Sequence, residues 1–327
     1  MSRATACLIF NPVAGKSDPE QDLAIIRSIL ESAIDLDIRL TSEELNADTI
    51  AKQAIAQGAK TIIASGGDGT LSAAANALVG TNIPLGIISR GTANAFAAAL
   101  ELPDSIEAAC ETILGGVTRK VDAAMCNGSP MVLLAGIGFE AETVEKADRQ
   151  AKKRFGMLAY VMAGIQQLRE LESFTAEIET EDKIITVTAS AVTVANAAPP
   201  TSILAQGPDG VIFDDGLLDV TVVAPVNRAG AIAASYHLLQ TALNENAAER
   251  NDIGYLRAKR VIIRTEPLQK VVIDGEINGY TPIDVECVPS GLTIFVPQEA
   301  APPSPMEKIE GLPDLIVESK VVKGFSK

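Results

Sequence analysis

Tryptophan is absent from the 327 residues, histidine occurs once, and aromatic residues make up only 4%. Since 47% of the residues are hydrophobic, the interior must be built from Ala, Ile, Leu and Val, the composition of α/β layers. Cysteines are few and scattered: Cys7, Cys110, Cys126 and Cys287 form no CxxC pair, which excludes a zinc or redox motif and leaves reduced thiols as the expectation. Cations are short as well, with 27 Lys plus Arg against 42 Asp plus Glu and a net charge of −15. That balance excludes nucleic acid as the main partner and argues against strong electrostatic anchoring on anionic lipid. No charged-then-apolar leader opens the chain and its apolar runs are strand-sized, so neither a signal peptide nor a transmembrane helix is expected. The expectation is a cytoplasmic protein whose contact with membrane would be peripheral and transient. A homodimer is left open.

The length suits two domains, since single cores rarely grow much beyond about 250 residues. Up to about residue 125 short apolar runs alternate with helical stretches: Ala6 to Phe10; then Leu23, Ile26, Leu30 and Ile34 at helical spacing; then Ile38 and Leu40; then Thr61 to Ala64. Such alternation predicts βαβ units and a mostly parallel sheet, which Leu85 to Ile88 and Val121 to Ala124 would extend. From 126 to 290 strand-like runs follow one another: Phe174 to Ile178, Ile184 to Val194, Leu217 to Val223, Val261 to Arg264 and Val271 to Ile273. These predict a β-rich antiparallel second domain, interrupted by helical stretches near 155–171 and 227–244. Residues 291–299 hold a last strand expected to return to the first domain, and 300–327 read as a flexible tail.

Gly66-Gly67-Asp68-Gly69-Thr70 follows the run Thr61 to Ala64 and precedes an Ala-rich helix. Strand, glycine turn and helix N-terminus in succession bring free backbone N–H groups and a helix dipole to one point, where a phosphate is held. Asp68 would repel phosphate, so its expected work is on a magnesium ion, its water shell or a ribose hydroxyl. Asn11-Pro12-Val13-Ala14-Gly15-Lys16 and Gly91-Thr92-Ala93-Asn94-Ala95-Phe96 also follow strands, so three small-residue loops arrive at one sheet edge. Neither is a Walker P-loop, and Lys16 reads equally well as a solvated lysine.

Taken together, these motifs resemble the diacylglycerol kinase catalytic superfamily, which includes bacterial lipid kinases and sphingosine kinases. The resemblance runs from the NPxxGK segment through GGDGT and GTANAF to Gly136-Ile137-Gly138-Phe139, Asp214-Asp215-Gly216-Leu217-Leu218-Asp219 and Asp274-Gly275-Glu276. It implies an α/β N-terminal domain with a parallel sheet, a β-rich antiparallel second domain, and an ATP-dependent kinase acting on a lipid hydroxyl. The implied nucleotide site takes in Asn11, Thr41, Gly66, Gly67, Asp68, Gly69, Thr70, Leu71, Ser72 and Thr92. Glu276 is implied as general base beside Asp68 in the catalytic pair, and phosphoryl transfer does need a carboxylate able to take the acceptor's proton. A structural Mg²⁺ is implied on Asp215 with the carbonyls of Ile212 and Leu217.

Without the resemblance, Asp274-Gly275 and Asp215-Gly216 read as ordinary turns. Many relatives carry an Asp after the asparagine of GTxN, where this chain has Ala95, so one carboxylate is missing. Two alternatives therefore stand beside the lipid kinase: an NAD kinase-like enzyme, since GGDG loops occur there, and a degenerate nucleotide-binding regulatory protein. His237 reads as structural, and Lys152-Lys153-Arg154 as a solvated face rather than a lipid contact.

Overall fold

Alternation of side chains along the first strand sorts residues to two sides of a sheet, Cys7 and Ile9 to one core and Leu8 and Phe10 to another. A computed structural model describes residues 4–138, 173–199, 202, 205, 210–224 and 253–298. Strands β1 (Ala4–Phe10), β2 (Ile34–Leu40), β3 (Ile62–Gly66) and β4 (Leu85–Ser89) pair in parallel in the order β2-β1-β3-β4. Helices α1 (Pro19–Leu30) and α5 (Ile106–Gly115) share one core with Leu8, Phe10, Ile63 and Ile88. Helices α2 (Ala47–Ala56) and α3 (Asp68–Asn76) share the other with Ile9, Ile62 and Ala64, and the short α4 (Ala95–Ala99) packs there through Phe96 and Ala97. Side-chain caps open three of the helices: Asp18 accepts from Glu20 N at 2.9 Å, Asn46 from Thr49 N at 2.9 Å and Ser105 from Ala108 N at 3.2 Å. Ile34, which helical spacing assigns to the first helix, instead begins β2, because α1 closes at Leu30 and an Ile-Asp-Leu-Asp-Ile alternation takes over.

The parallel sheet does not end at β4. Strand β16 (Ile283–Phe295) pairs with β4 in parallel near its end, at Ile294 opposite Leu85, and with β13 (Arg260–Glu266) antiparallel near its start. Through it the sheet continues into β8 (Phe174–Glu179) and β9 (Ile184–Ala189), reaching ten strands once β5 (Thr118–Cys126) and β6 (Ser129–Met131) join at β16. The second sheet has six antiparallel strands in the order β12-β11-β10-β7-β14-β15. They are β7 (Leu134–Gly138), β10 (Ala191–Ala195), β11 (Leu218–Val223), β12 (Ile253–Ala258), β14 (Lys270–Ile273) and β15 (Glu276–Tyr280). The run Ile184 to Val194 is thus two strands, parted at Ser190 and sent to different sheets.

Between the two sheets lies a core of Ile137, Val192, Val194, Leu218 and Val220 facing Phe174, Ile178, Val261, Ile263 and Val285. Gly138 sits in it at φ +76, and a Cβ there would lie 2.6 Å from the Phe174 ring. The described residues up to Pro297 belong to one compact unit. All four cysteines are free and buried, and burial pushes their thiols up, to about 11 for Cys7 and Cys126 and about 12 for Cys110 and Cys287. Among the described residues no helix is long and apolar enough to cross a membrane. The expected helices near 155–171 and 227–244, Lys152-Lys153-Arg154, His237 and the tail from 300 lie outside the described residues.

Candidate functional site

Three loops leave the carboxyl ends of β1, β3 and β4 side by side, joined by both backbone and side-chain contacts. Asn11 N donates to Ser65 O at 2.9 Å, and Arg90 N donates to Gly66 O at 2.7 Å. Gly67 and Gly91 face each other without side chains: a Cβ on Gly91 would lie 3.0 Å from the Gly67 Cα, inside normal contact. A Cβ on Gly66 would lie 2.7 Å from both Cβ and Oγ1 of Thr70, so this glycine lets α3 start immediately after its strand. Asn11 Nδ2 donates to Thr70 Oγ1 at 2.8 Å, linking the first loop to the second.

Asp68 opens α3, with Gly67 as a cap that supplies no side chain. Its Oδ1 accepts from Phe96 N at 3.1 Å, which links the second loop to the third, and Asn94 between them adopts the left-handed conformation at φ 49. N–H groups in a first helical turn lack intrahelical acceptors, so the amides near Gly67, Asp68 and Gly69 face the edge where a phosphate would sit. Gly69 has open space around its Cα. Thr41 continues from β2, its N–H donating to Phe10 O at 3.0 Å, and Thr92 is exposed on the third loop. The structure brings together Asn11, Gly66 to Thr70 and the loop carrying Thr92. Leu71 is fully buried in the α2/α3 core and its N–H goes to Gly67 O at 3.1 Å, while the Ser72 hydroxyl is buried with no partner.

The two acidic turns belong to the other half. Asp274 and Gly275 join β14 to β15 with φ of 49 and 85, the two-residue hairpin that positive φ at both central positions demands. Glu276 follows on the exposed edge strand, opposite Ile273. Asp274 itself turns inward: Oδ1 accepts from Leu133 N at 2.8 Å and Leu134 N at 3.1 Å, and Oδ2 from Val132 N at 3.0 Å. Burial raises its carboxyl above the usual range, the three amides oppose that, and the charge of Glu276 adds to it. Val132 and Leu133 in turn pack into the core beneath α3 and α4, so a chain of contacts joins the turn carrying Glu276 to the helix carrying Asp68.

The Asp214-Asp215-Gly216 turn is held in a parallel way. Buried Asp122 accepts from Gly216 N at 2.6 Å on one oxygen and from Ser290 N at 2.7 Å on the other, and its own N–H donates to Phe213 O at 2.7 Å. Asp214 pairs with Arg119. Asp215 accepts from Leu217 N at 3.0 Å and lies 3.5 Å from Arg257 Nη1, whose Nε is 2.8 Å from buried Asp219 Oδ1. Burial raises the Asp219 carboxyl, Arg257 and the Ile212 amide draw it down, and Asp215 pushes it up. Asp219 Oδ2 is buried with no partner. Among the described residues no three His, Cys, Asp or Glu side chains cluster as a metal site, so a cation here must draw on backbone carbonyls.

Sequence reasoning missed Arg90, Asp22 and Asp122, and placed Asp274 in its turn without the inward role of its carboxylate. Their signal is an acid or arginine flanking a motif, which reads as solvated until the fold shows which distant amides and carbonyls it serves.

Comparison with known proteins agrees with this arrangement. Residues 5–126 match the diacylglycerol kinase catalytic domain, and residues 134–296 match the YegS C-terminal NAD kinase beta sandwich-like domain. The chain is 49% identical over 306 residues to the Synechocystis protein sll0036, covering 90% of this chain and 71% of that one. It is 32% identical over 301 residues to the Xanthomonas axonopodis pv. citri protein named "Probable lipid kinase YegS-like", covering 87% and 94%. A solved diacylglycerol kinase structure from Bacillus anthracis superposes with a TM-score of 0.70 at 26% identity, covering 91% and 98%. Glycine loops at a parallel sheet edge, a second sheet bearing the DDG and DGE turns, and these matches over nearly the whole of residues 5–296 mean that this chain belongs to the diacylglycerol kinase catalytic family, in its YegS-like form.

Proposed function

We propose that the protein transfers the γ-phosphate of ATP to a hydroxyl of a diacylglycerol-like or other lipid acceptor. The observation that carries the reading is the close approach of Gly67 and Gly91, which brings two strand-end loops together beside the Asp68 carboxylate and the buried Asn94 Oδ1. Phosphoryl transfer depends on positioning and charge stabilisation more than on covalent help from the protein. Here Asn11, Gly66 to Thr70 and Thr92 bound the phosphate side, with Thr41 beside them, and Asp68 is the acid of the cradle, while Leu71 and Ser72 are buried behind the loop. Glu276, exposed on its edge strand, accepts the proton as the acceptor oxygen bonds to the γ-phosphorus and the bond to the β-bridging oxygen breaks, releasing ADP.

The second acidic turn offers Mg²⁺ oxygen donors, Asp215 and the Asp219 Oδ2 that lacks a partner, with Ile212 and Leu217 carbonyls on either side in sequence, while Arg257 lies 3.5 Å from Asp215 and 2.8 Å from Asp219 and would share these carboxylates with the ion. Mg²⁺ bound there would add positive charge to a turn that Asp122 already holds. The test is transfer of labelled phosphate from ATP to diacylglycerol, to a mixed lipid extract and to NAD in parallel. Label in lipid is the expected result. Label in NAD alone would replace the reading with an NAD kinase-like one, and ATP binding without any transfer would make the chain a nucleotide-binding regulatory protein, in keeping with Ala95.

A further inference from the structure

The most deeply buried ion pair among the described residues joins Arg90 to Asp22, Nε to Oδ2 at 2.7 Å, with side chains 1% and 7% exposed. Its surroundings are unusual for a pair that would merely fill space. Arg90 Nη1 donates to Asn11 O at 2.9 Å and Nη2 to Ala14 O at 3.3 Å, so the guanidinium fork is spent on two carbonyls of the first loop. Its plane lies over the Phe10 ring, 4.2 Å from the centroid. The backbone of the same residue reaches the second loop through Gly66 O and approaches the first so closely that a Cβ on Gly15 would lie 2.6 Å from Arg90 O. Asp22, from the first turn of α1, is fixed in turn by Ser17 Oγ at 2.6 Å.

Stability alone is a weak reason for this arrangement, because a buried ion pair replaced by apolar residues of similar volume is often neutral or better. We infer that Arg90 is a positioning residue for nucleotide binding: oriented by Asp22, it clamps the Asn11–Lys16 loop so that the Asn11 amide stays on Thr70 and the phosphate cradle is formed before ATP arrives. The inference rests on the proposed use of ATP. Its physical content is preorganisation, since a loop already held in its bound shape loses less freedom on binding.

The test compares Arg90→Lys, Arg90→Met and the double variant Asp22→Leu/Arg90→Met with the wild type. Melting temperature, amide hydrogen exchange of residues 11–17 in ATP-free protein, kcat, and KM for ATP and for the lipid acceptor are measured. Arg90→Met alone should lower the melting temperature, because it strands a buried carboxylate. The double variant should regain most of that loss, yet exchange at 11–17 should stay faster and KM for ATP should stay about tenfold raised, with KM for the acceptor unchanged. Arg90→Lys keeps the charge but not the fork and should fall between. A double variant with wild-type loop exchange, or with faster exchange and unchanged KM for ATP, would overturn the inference and return Arg90 to a structural part. Should the wild-type protein transfer nothing from ATP, the proposed function fails, while the exchange comparison still decides whether Arg90 holds the loop.

Discussion

The two functional regions solve the same problem by opposite means. At the edge of the parallel strands, loops fit because side chains are missing: Gly67 lies against Gly91 and Gly15 against the Arg90 carbonyl, so backbone meets backbone. In the six-stranded sheet and its approaches, turns fit because buried carboxylates collect amides, Asp274 holding three and Asp122 two. Acids therefore come in two kinds. Asp68, Asp215 and Glu276 keep a face toward solvent, whereas Asp122 and Asp274 are committed to the fold. Substitution at the first kind should cost chemistry or, at Asp215, the response to Mg²⁺, and at the second kind stability.

The sharpest attempt to break this division is Asp68→Ala. Phosphate transfer should fall below detection while the fold loses only about 1 kcal/mol, for the one bond to Phe96 N. Turnover and thermal midpoint measured on one preparation decide it, and activity near wild type would remove Asp68 from the site. Glu276→Gln should come next, cutting kcat by about 10²- to 10⁴-fold with ATP affinity by calorimetry unchanged, since a general base is lost and the shape is kept.

Asp274→Asn tests the other kind of acid two residues away. An amide cannot accept from three N–H groups at once, so denaturant unfolding should show a loss of about 2–3 kcal/mol. Turnover of the folded fraction should fall far less than in Glu276→Gln, and the reverse ranking would show that the two acids have been given each other's work. Asp215→Ala should leave metal-free stability least changed, and its effect is read only through Mg²⁺. Wild-type melting should rise with Mg²⁺, by up to about 2.7 kcal/mol at a hundredfold excess over Kd, and the variant should no longer respond. A wild-type midpoint indifferent to both Mg²⁺ and chelator would rule the cation site out.

What could be read from the chain follows the same division. The parallel edge was legible because its rules are local: a strand, a glycine turn and a helix start lie within fifteen residues of sequence, and the contact of Gly66 with Thr70 is itself local. The alternation of Phe174–Glu179 and the apolar run of Leu218–Val223 likewise announced strands. The inward roles of Asp122 and Asp274 were not legible, because their partners, Gly216 and Ser290 for one and Val132 to Leu134 for the other, are brought near only by the finished fold. Arg90 was hidden for the same reason, an arginine beside a loop being exposed far more often than buried. The division of Ile184–Val194 between two sheets also escaped, since neither periodicity nor propensity says which sheet a strand joins.

Strand β16 carries a consequence for how the chain is made. Synthesis delivers β1 to β4 early, but the partner that β4 finds beyond β3 is Ile294, close to the end of the described chain. Until that segment leaves the ribosome, the nascent sheet is unpaired at β4 as well as at its β2 edge, and such an edge is the kind of surface that recruits strands from other molecules. The same late strand also pairs with β13 and β5, so its arrival closes the older and the newer parts of the chain in one event. The glycine-loop edge is thus encoded first and completed last.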